Sequence, residues 1–210
     1  MKLSNKDILD LDRITRLKLI NSITGIKPAN LIGTIHDDGT TNLAIFSSVV
    51  HLGSHPPLLG FIARPSSKSS GHTLKNITAN GFYTINHVLS DFKKKAHYTS
   101  AKFERTISEF DSCSLTEEYI DDFKAPFVKE STVKIGLQLK EVIPISINNT
   151  SLVIGEIELL ITPDSIIQNG DVDLEKLGSI GVSGLNSYYN LRKIARYPYV
   201  RIDEVSNFNL

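Results

Sequence analysis

The chain has 210 residues, of which 40% are hydrophobic and 22% charged, a composition typical of a globular protein that needs no disulfide or metal for stability. Its 23 basic and 23 acidic residues give a formal net charge of zero, which argues against a nucleic-acid-binding protein. No apolar run approaches the ~18 residues of a membrane span. The single cysteine, Cys113, cannot form an intrachain disulfide, and we expect a reducing, cytoplasmic location.

The first half of the chain predicts a helical segment followed by short strands. Residues 5–20 have helical spacing of apolar side chains and predict one or two short amphipathic helices, with Ser4 as the expected N-cap. Alternating or continuous apolar runs predict strands at 30–36, 41–46, 58–63 and 82–88, and helices are expected at 73–79 and 91–97.

The second half predicts two long strands, at 133–142 and 151–162, with a bulge at Gly155 in the second. We expect the glycine-rich residues 178–186 to be irregular and residues 188–195 to be helical. Six or seven strands joined mostly by short turns predict a mainly β, predominantly antiparallel barrel with added helices. Because no repeat or linker interrupts the chain, we expect residues 1–210 to form a single domain.

The most informative stretch lies between residues 41 and 64. The strand at 41–46 runs directly into Ser47 and Ser48, and the strand at 58–63 ends on Arg64. Hydroxyls and unpaired backbone N–H groups at one strand end, together with an arginine that can form a bidentate contact, suit an anionic ligand such as a phosphorylated cofactor.

A second part of this predicted anion site follows Arg64. The loop contains Ser66, Ser67 and Lys68, and His72 and Thr73 open a helix whose first N–H groups favour an anion. The alternative is purely local: Thr73 is a helix cap and the serines belong to an ordinary loop. No GxGxxG or GxxxxGK[ST] pattern is present, so a Rossmann or P-loop site is not supported.

Taken together, residues 42–88 resemble the flavin reductase-like family of FMN-binding split-barrel (flavoredoxin-like) proteins, and the resemblance extends from about residue 21 to 198. Four features carry the resemblance. The first two are an Asn-x-Ala-x-aromatic-Ser elbow at residues 42–47 and a strand that ends in Arg64. The other two are a helix opened by His72-Thr73 with Asn76 three residues after the threonine, and a strand that ends in Asn86. Two positions depart from the family pattern. Ile45 replaces a proline, and His72 replaces an acidic residue.

The resemblance implies an FMN site in which the backbone of residues 44–46 contacts the isoalloxazine and the arginine and helix start hold the phosphate. The implied cofactor-binding residues are Asn42, Ala44, Ile45, Phe46, Ser47, Ser48, Arg64, Ser66, Ser67, His72 and Thr73. His51, on the loop after the elbow, is a candidate proton donor, with a solvated surface histidine as the alternative.

The resemblance also implies a homodimer that takes a hydride from NADH or NADPH and passes electrons to free flavin or another small acceptor. The sequence itself, which lacks CxxC, HExxH and any His/Asp cluster at metal spacing, predicts no metal site. Its charge balance and the lack of a long apolar run predict no nucleic-acid partner and no membrane association. A non-catalytic flavoprotein, acting as an electron carrier or as a flavin-binding module for a partner, is the alternative. Pyridoxal phosphate in the same barrel is a third reading, which leaves the flavin-sized elbow unexplained.

Overall fold

The computed structural model describes residues 1–65 and 71–202. The strands are β1 (Lys27–Pro28), β2 (Asn30–Ile35), β3 (Thr41–Phe46), β4 (Val50–Ser54), β5 (Pro57–Ala63), β6 (Phe82–His87), β7 (Glu117–Glu118), β8 (Phe127–Val128), β9 (Lys134–Ile145), β10 (Thr150–Ile161), β11 (Ile167–Gln168), β12 (Asp171–Val172), β13 (Ile180–Ser183) and β14 (Ser187–Asn190). The α-helices are α1 (Asn5–Asp10), α2 (Arg13–Ser22), α3 (His72–Asn80), α4 (Lys93–Tyr98), α5 (Glu109–Ser112) and α6 (Leu174–Leu177). Short 3₁₀ turns occupy Ser90–Phe92 and Asp164–Ile166.

A seven-stranded sheet with the order β3-β2-β6-β9-β10-β5-β4 dominates the structure. All of its neighbouring strands are antiparallel. A smaller sheet contains β1, β13 and β14 in the order β1-β13-β14. The predicted fold class, mainly antiparallel β with added helices, is confirmed.

The large sheet is strongly curled. β3 and β4 lie at opposite ends of the strand order, yet only residues 47–49 connect them. A flat sheet would separate these edges by about 29 Å, at ~4.8 Å per strand spacing, whereas four Cα steps span at most ~15 Å. The edges must therefore approach each other, and the Ser48 hydroxyl in the link donates to the Ile62 carbonyl of β5 at 3.3 Å and accepts from its N–H at 3.0 Å.

Apolar side chains pack on both faces of the sheet because neighbouring residues of a strand point to opposite sides. On β2, Leu31 belongs to a cluster with helices α4 and α5, and Ile32 belongs to a second cluster with Phe61, Tyr83 and the side chains of β9. Both Leu31 and Ile32 are fully buried. The central strands are therefore covered on both faces.

Several sequence predictions are confirmed. Ser4 caps α1 with a capping box that includes Asp7. The strand at Thr41–Phe46 has the predicted bounds, and the β9–β10 register shifts between Ile154 and Gly155, as expected for a bulge. Glycine is required there because a Cβ at position 155 would overlap the Tyr83 hydroxyl. In the described ranges, no helix combines the length and apolar character needed to cross a bilayer.

Other predictions are wrong. Residues 188–195 do not form a helix: Tyr188 pairs with Val182, and Ser187–Asn190 is strand β14. Part of the glycine-rich segment, expected to be irregular, is its partner β13. Tyrosine favours a paired strand, and that pairing overrides the helical spacing of the local sequence. The N-terminal segment, in contrast, agrees with the prediction of one or two short helices. It forms two, because Asp12 accepts from the N–H groups of Ile14 and Thr15 and starts α2.

Candidate functional site

A cavity of about 850 Å³ opens beside strand β3. One side, which we call the inner wall, is built from β3, the link 47–48, the end of β5 and the start of α3. The opposite side, the facing wall, is built from residues 97–103 and 182–188, with Asn21 of α2 and Lys27 of β1. The volume lies in the range of roughly 300–1,000 Å³ that is typical of small-molecule sites.

Nine of the eleven predicted cofactor-binding residues line this cavity: Asn42, Ala44, Ile45, Phe46, Ser47, Ser48, Arg64, His72 and Thr73. The other two, Ser66 and Ser67, lie outside the described residues. The fold therefore gathers the elbow, the arginine and the helix start around one space, although 31 positions separate Asn42 from Thr73 along the chain. Their binding roles stay a prediction.

A buried hydrogen-bond network fixes the inner wall. The Asn42 amide donates to the hydroxyls of Thr34 at 3.1 Å and Thr73 at 3.2 Å, and Asn76 donates to Thr34 at 3.0 Å. Asn42 and Thr73 are only 4% and 5% exposed. This network fixes α3 against β2 and β3. Because the Thr73 oxygen accepts from Asn42, its O–H proton can still be donated to a ligand.

Helix α3 begins toward the cavity without a side-chain cap. Its N-cap is Gly71, in a left-handed conformation with φ of 79°. Thr73, the cap in the local alternative, is therefore a residue of the first helical turn. A side chain normally accepts from the N–H groups of the first turn, and Gly71 cannot do so. The positive end of the helix dipole adds to the attraction for an anion.

His72 contacts both the main cavity and a smaller one. Its ring stands edge-on to His36, with 5.5 Å between the ring centroids, and within the described residues its buried Nε2 has no partner. The pKa of His72 is lowered, mainly by burial and then by the positive charges of Lys75 and Arg105. A neutral ring is therefore favoured near neutral pH, and it can offer one N–H donor to a ligand.

The structure does not bring His51 to the cavity. His51 lies on β4, is exposed, and pairs with Leu59 of β5. Strand β4 was not predicted, because the polar elbow sequence reads locally as a loop. The role of His51 as a proton donor stays a prediction without support from its position in a single chain.

Sequence reasoning missed several residues of the cavity, and two of them, Glu109 and His97, are polar residues of helices α5 and α4. Glu109, at the start of α5, is 8% exposed, and its Oε2 accepts from the backbone N–H of Leu43 at 2.8 Å. Burial raises the pKa of this carboxyl group, and the hydrogen bonds from backbone N–H groups oppose that shift. His97 of α4 is the second of these two. Neither carries a local signal, because each reaches the cavity only through contacts distant in sequence.

His97 and Tyr188 form a pair on the facing wall. The His97 Nδ1 and the Tyr188 hydroxyl are 2.9 Å apart, and the rings meet edge to face with 5.7 Å between centroids. Lys27, also on this wall, donates to the backbone carbonyl of Asn21 at 2.8 Å. Within the described ranges, no group of three His, Cys, Asp or Glu side chains is placed to hold a metal ion.

The donors fit a phosphorylated flavin. The inner wall includes an uncapped helix start, a hydroxyl donor and Arg64, together with the open edge of β3. The backbone N–H of Leu43 donates to the Glu109 side chain and not to β2. In an antiparallel pair, successive N–H groups of an edge strand point alternately toward and away from the neighbouring strand, so the N–H of Ile45 also faces away from β2. Outward N–H groups suit the carbonyl and N5 edge of an isoalloxazine ring.

Comparisons with known proteins identify the family and the fold. Residues 26–170 match the model of the "Flavin reductase like domain" family. A crystal structure of a candidate flavin reductase with a split barrel domain from Shewanella frigidimarina is 46% identical, has a TM-score of 0.91, and covers 95% of this chain and 100% of its own. The flavoredoxin of Desulfovibrio vulgaris shares the fold, with 22% identity, a TM-score of 0.72 and coverage of 83% and 91%.

An uncharacterised protein of Aquifex aeolicus is 28% identical over 184 residues, which are 87% of this chain and 92% of that protein. The split-barrel fold and the flavin reductase-like resemblance are confirmed, and together they support a flavin-using oxidoreductase. The chain belongs to the flavin reductase like domain family.

Proposed function

We propose that the protein binds FMN in the cavity beside β3 and acts as an NAD(P)H-dependent flavin reductase that passes electrons to free flavin or another small acceptor. One observation carries this proposal: Arg64 and an uncapped helix start border the same cavity as the open edge of β3. That arrangement offers an anion site and a row of backbone donors for one elongated ligand.

At the phosphate end, three kinds of donor converge. Arg64 supplies a charged fork, Thr73 supplies a hydroxyl whose proton is free to donate, and the first turn of α3 supplies backbone N–H groups. Each Thr73 and Asn42 contact is buried, so this end is organised before the ligand arrives. A preorganised site loses little conformational entropy on binding.

At the ring end, backbone groups of residues 44–46 contact the ligand. A bound flavin supplies the hydride-accepting chemistry, and the protein supplies position and polarity. The outward N–H of Ile45 can hydrogen bond to a ring acceptor at which negative charge accumulates on reduction. Phe46 packs edge-on against Phe61 at 5.0 Å between centroids, which fixes the end of the strand beside the ring.

The facing wall suits a second substrate. Lys27 and Lys102 place positive charge there, and residues 100–102 are exposed. A nicotinamide dinucleotide carries phosphates that such cations attract. In the proposed reaction NADH or NADPH loses a hydride and becomes NAD⁺ or NADP⁺, and the acceptor gains the same two electrons.

The test is a pair of measurements on purified protein. FMN is titrated and its fluorescence followed, and oxidation of NADH and of NADPH is then measured at 340 nm (the nicotinamide band) with FMN present. We expect quenching of flavin fluorescence and steady-state turnover with at least one nucleotide. Absence of flavin binding contradicts the whole proposal. Tight binding with no turnover of either nucleotide would leave the non-catalytic electron carrier as the function.

We also propose that the active form is a homodimer located in the cytoplasm. Apolar side chains remain exposed on α2 (Ile14, Leu17, Ile20) and on β4 (Val50, Leu52), with exposures between 39% and 53%. Apolar surface of this kind marks sites of association between proteins. Size-exclusion chromatography with light scattering should give twice the chain mass of 23.3 kDa, and a monomer at micromolar concentration contradicts the proposal.

A further inference from the structure

Of the described residues that line the main cavity, Glu109 is the one carboxylate. The described lining also contains three cations, Lys27, Arg64 and Lys102. Glu109 is 8% exposed, so its charge is largely removed from bulk water while it still borders the ligand space. The presence of this buried carboxylate among cationic side chains needs a physical explanation.

Packing alone does not supply that reason. Within the described ranges, no lysine or arginine forms an ion pair with Glu109. A buried carboxylate without a counter-ion is costly, and such groups concentrate where they serve a ligand or a reaction. Its raised pKa, caused by burial, agrees with this unfavourable environment.

The carboxylate is nevertheless oriented. Its Oε2 accepts from the Leu43 N–H at 2.8 Å, which holds the side chain against the outer edge of β3. Within the described residues, no side chain donates to Oε1. A fixed carboxylate with one remaining oxygen is an acceptor for a donor group of the ligand, and it repels a phosphate.

The position of Glu109 along β3 selects the part of the ligand that it meets. Glu109 accepts from Leu43, whose two chain neighbours belong to different ends of the proposed site. Asn42 contacts the helix start through Thr73, and Ala44 is the first residue of the proposed ring end. Steps along a strand are about 3.3 Å each, so Glu109 lies between the proposed phosphate end and the ring end. In a flavin, the ribityl chain with its hydroxyl groups connects these two ends.

We propose that Glu109 is a cofactor-binding residue whose carboxylate accepts a hydrogen bond from a ribityl hydroxyl and excludes phosphate from the middle of the cavity. It thereby fixes the direction in which the flavin lies along β3. This inference depends on flavin binding in the cavity, as proposed above.

The experiment uses three probes: FMN, riboflavin, and lumiflavin, which keeps the ring but lacks the ribityl hydroxyls. Dissociation constants are measured by fluorescence for the unmodified protein, Glu109→Ala and Glu109→Gln. We expect Glu109→Ala to weaken FMN and riboflavin by ~10-fold or more, because a charge-assisted hydrogen bond is lost, and to leave lumiflavin within ~2-fold. We expect Glu109→Gln to weaken FMN and riboflavin by about 3-fold or more, because a neutral amide replaces the charged acceptor. The loss is smaller than for alanine because the amide oxygen can still accept from Leu43.

The matched control is Glu117→Gln. Glu117 accepts from the Thr41 hydroxyl at 2.5 Å and does not line the cavity, so all three dissociation constants should stay unchanged. Two results in a Glu109→Gln protein with unchanged thermal unfolding would overturn the inference. One is an equal loss of affinity for riboflavin and lumiflavin, and the other is an unchanged affinity for riboflavin. If Glu109→Ala does not fold, the Glu109→Gln result decides alone. Failure of the unmodified protein to bind any of the three probes overturns the proposed function itself.

Discussion

The two walls of the cavity are built in different ways. On the inner wall, polar side chains are buried and hydrogen bonded to one another, as in the contacts of Asn42 with Thr34 and Thr73. On the facing wall, Ser100 and Lys102 are exposed and Leu185 is 42% exposed. The side chains of His97 and Tyr188 hydrogen bond to each other on this wall.

This difference matches a division of labour in the proposed function. A cofactor that stays in one orientation needs donors that are fixed before it binds, and buried networks provide them. A second substrate that must enter and leave needs an open side. If the division is correct, substitutions on the inner wall should affect stability and FMN, and substitutions on the facing wall should affect the second substrate.

The largest effect is expected for Asn42→Leu. Leucine is similar in size but cannot donate, so Thr73 loses its buried partner, and such a loss typically costs ~1–3 kcal/mol of unfolding free energy. Urea denaturation followed by circular dichroism measures this loss, and FMN affinity should fall with it. Asn21→Leu on the facing wall is the matched control, because within the described residues the Asn21 side chain donates only to the Leu17 carbonyl, at an exposed site. Equal destabilisation by the two substitutions would remove the distinction between the walls.

The next effect is on ligand choice. Arg64→Ala should weaken FMN by about 10- to 100-fold, since a charge-assisted contact to phosphate is worth about 1.5–3 kcal/mol. Riboflavin, which has no phosphate, should bind within ~2-fold of its original affinity. Lys102→Ala, across the cavity, serves as the control and should leave the ratio of FMN to riboflavin affinity unchanged. Equal losses of both ligands in Arg64→Ala would mean that Arg64 does not contact the phosphate.

A smaller effect is expected for Tyr188→Phe, which keeps the ring and removes the hydroxyl that contacts His97. One partly exposed hydrogen bond contributes about 0.5–1.5 kcal/mol. FMN affinity should change less than ~3-fold, whereas KM for NADH or NADPH should rise. Steady-state kinetics at saturating FMN measure this, and a loss of FMN affinity larger than the rise in KM would assign Tyr188 to cofactor binding.

The smallest effect on stability is expected for Ile45→Pro, which restores the residue that the family resemblance implies. Position 45 lies on an edge strand with its N–H facing away from β2, so proline removes no ladder hydrogen bond. We expect the unfolding free energy to change by about 1 kcal/mol or less. Ala44→Pro removes an N–H that faces β2 and should cost ~3 kcal/mol. Similar costs at both positions would show that the edge of β3 is not open.

Local sequence was sufficient where a segment's neighbours agree with its own preferences. The strand Thr41–Phe46, the Ser4 cap and the bulge at Gly155 depend on alternation, a short polar side chain and a missing Cβ, and each is visible in a few consecutive residues. The same kind of local pattern, together with the family resemblance, located the strand ends and the helix start that carry the predicted cofactor residues, and the described ones among these residues line one cavity.

Only the tertiary structure decided the rest. Tyr188 has helical spacing in the sequence but pairs as a strand with Val182, because an exposed edge gains hydrogen bonds from a second strand. Glu109 reaches Leu43 across 66 positions, and His97 reaches Tyr188 across 91, so no local pattern could announce either contact. The sequence by itself determined the antiparallel sheet and one wall of the cavity. The facing wall and the buried carboxylate depend on how the curled sheet brings distant segments together.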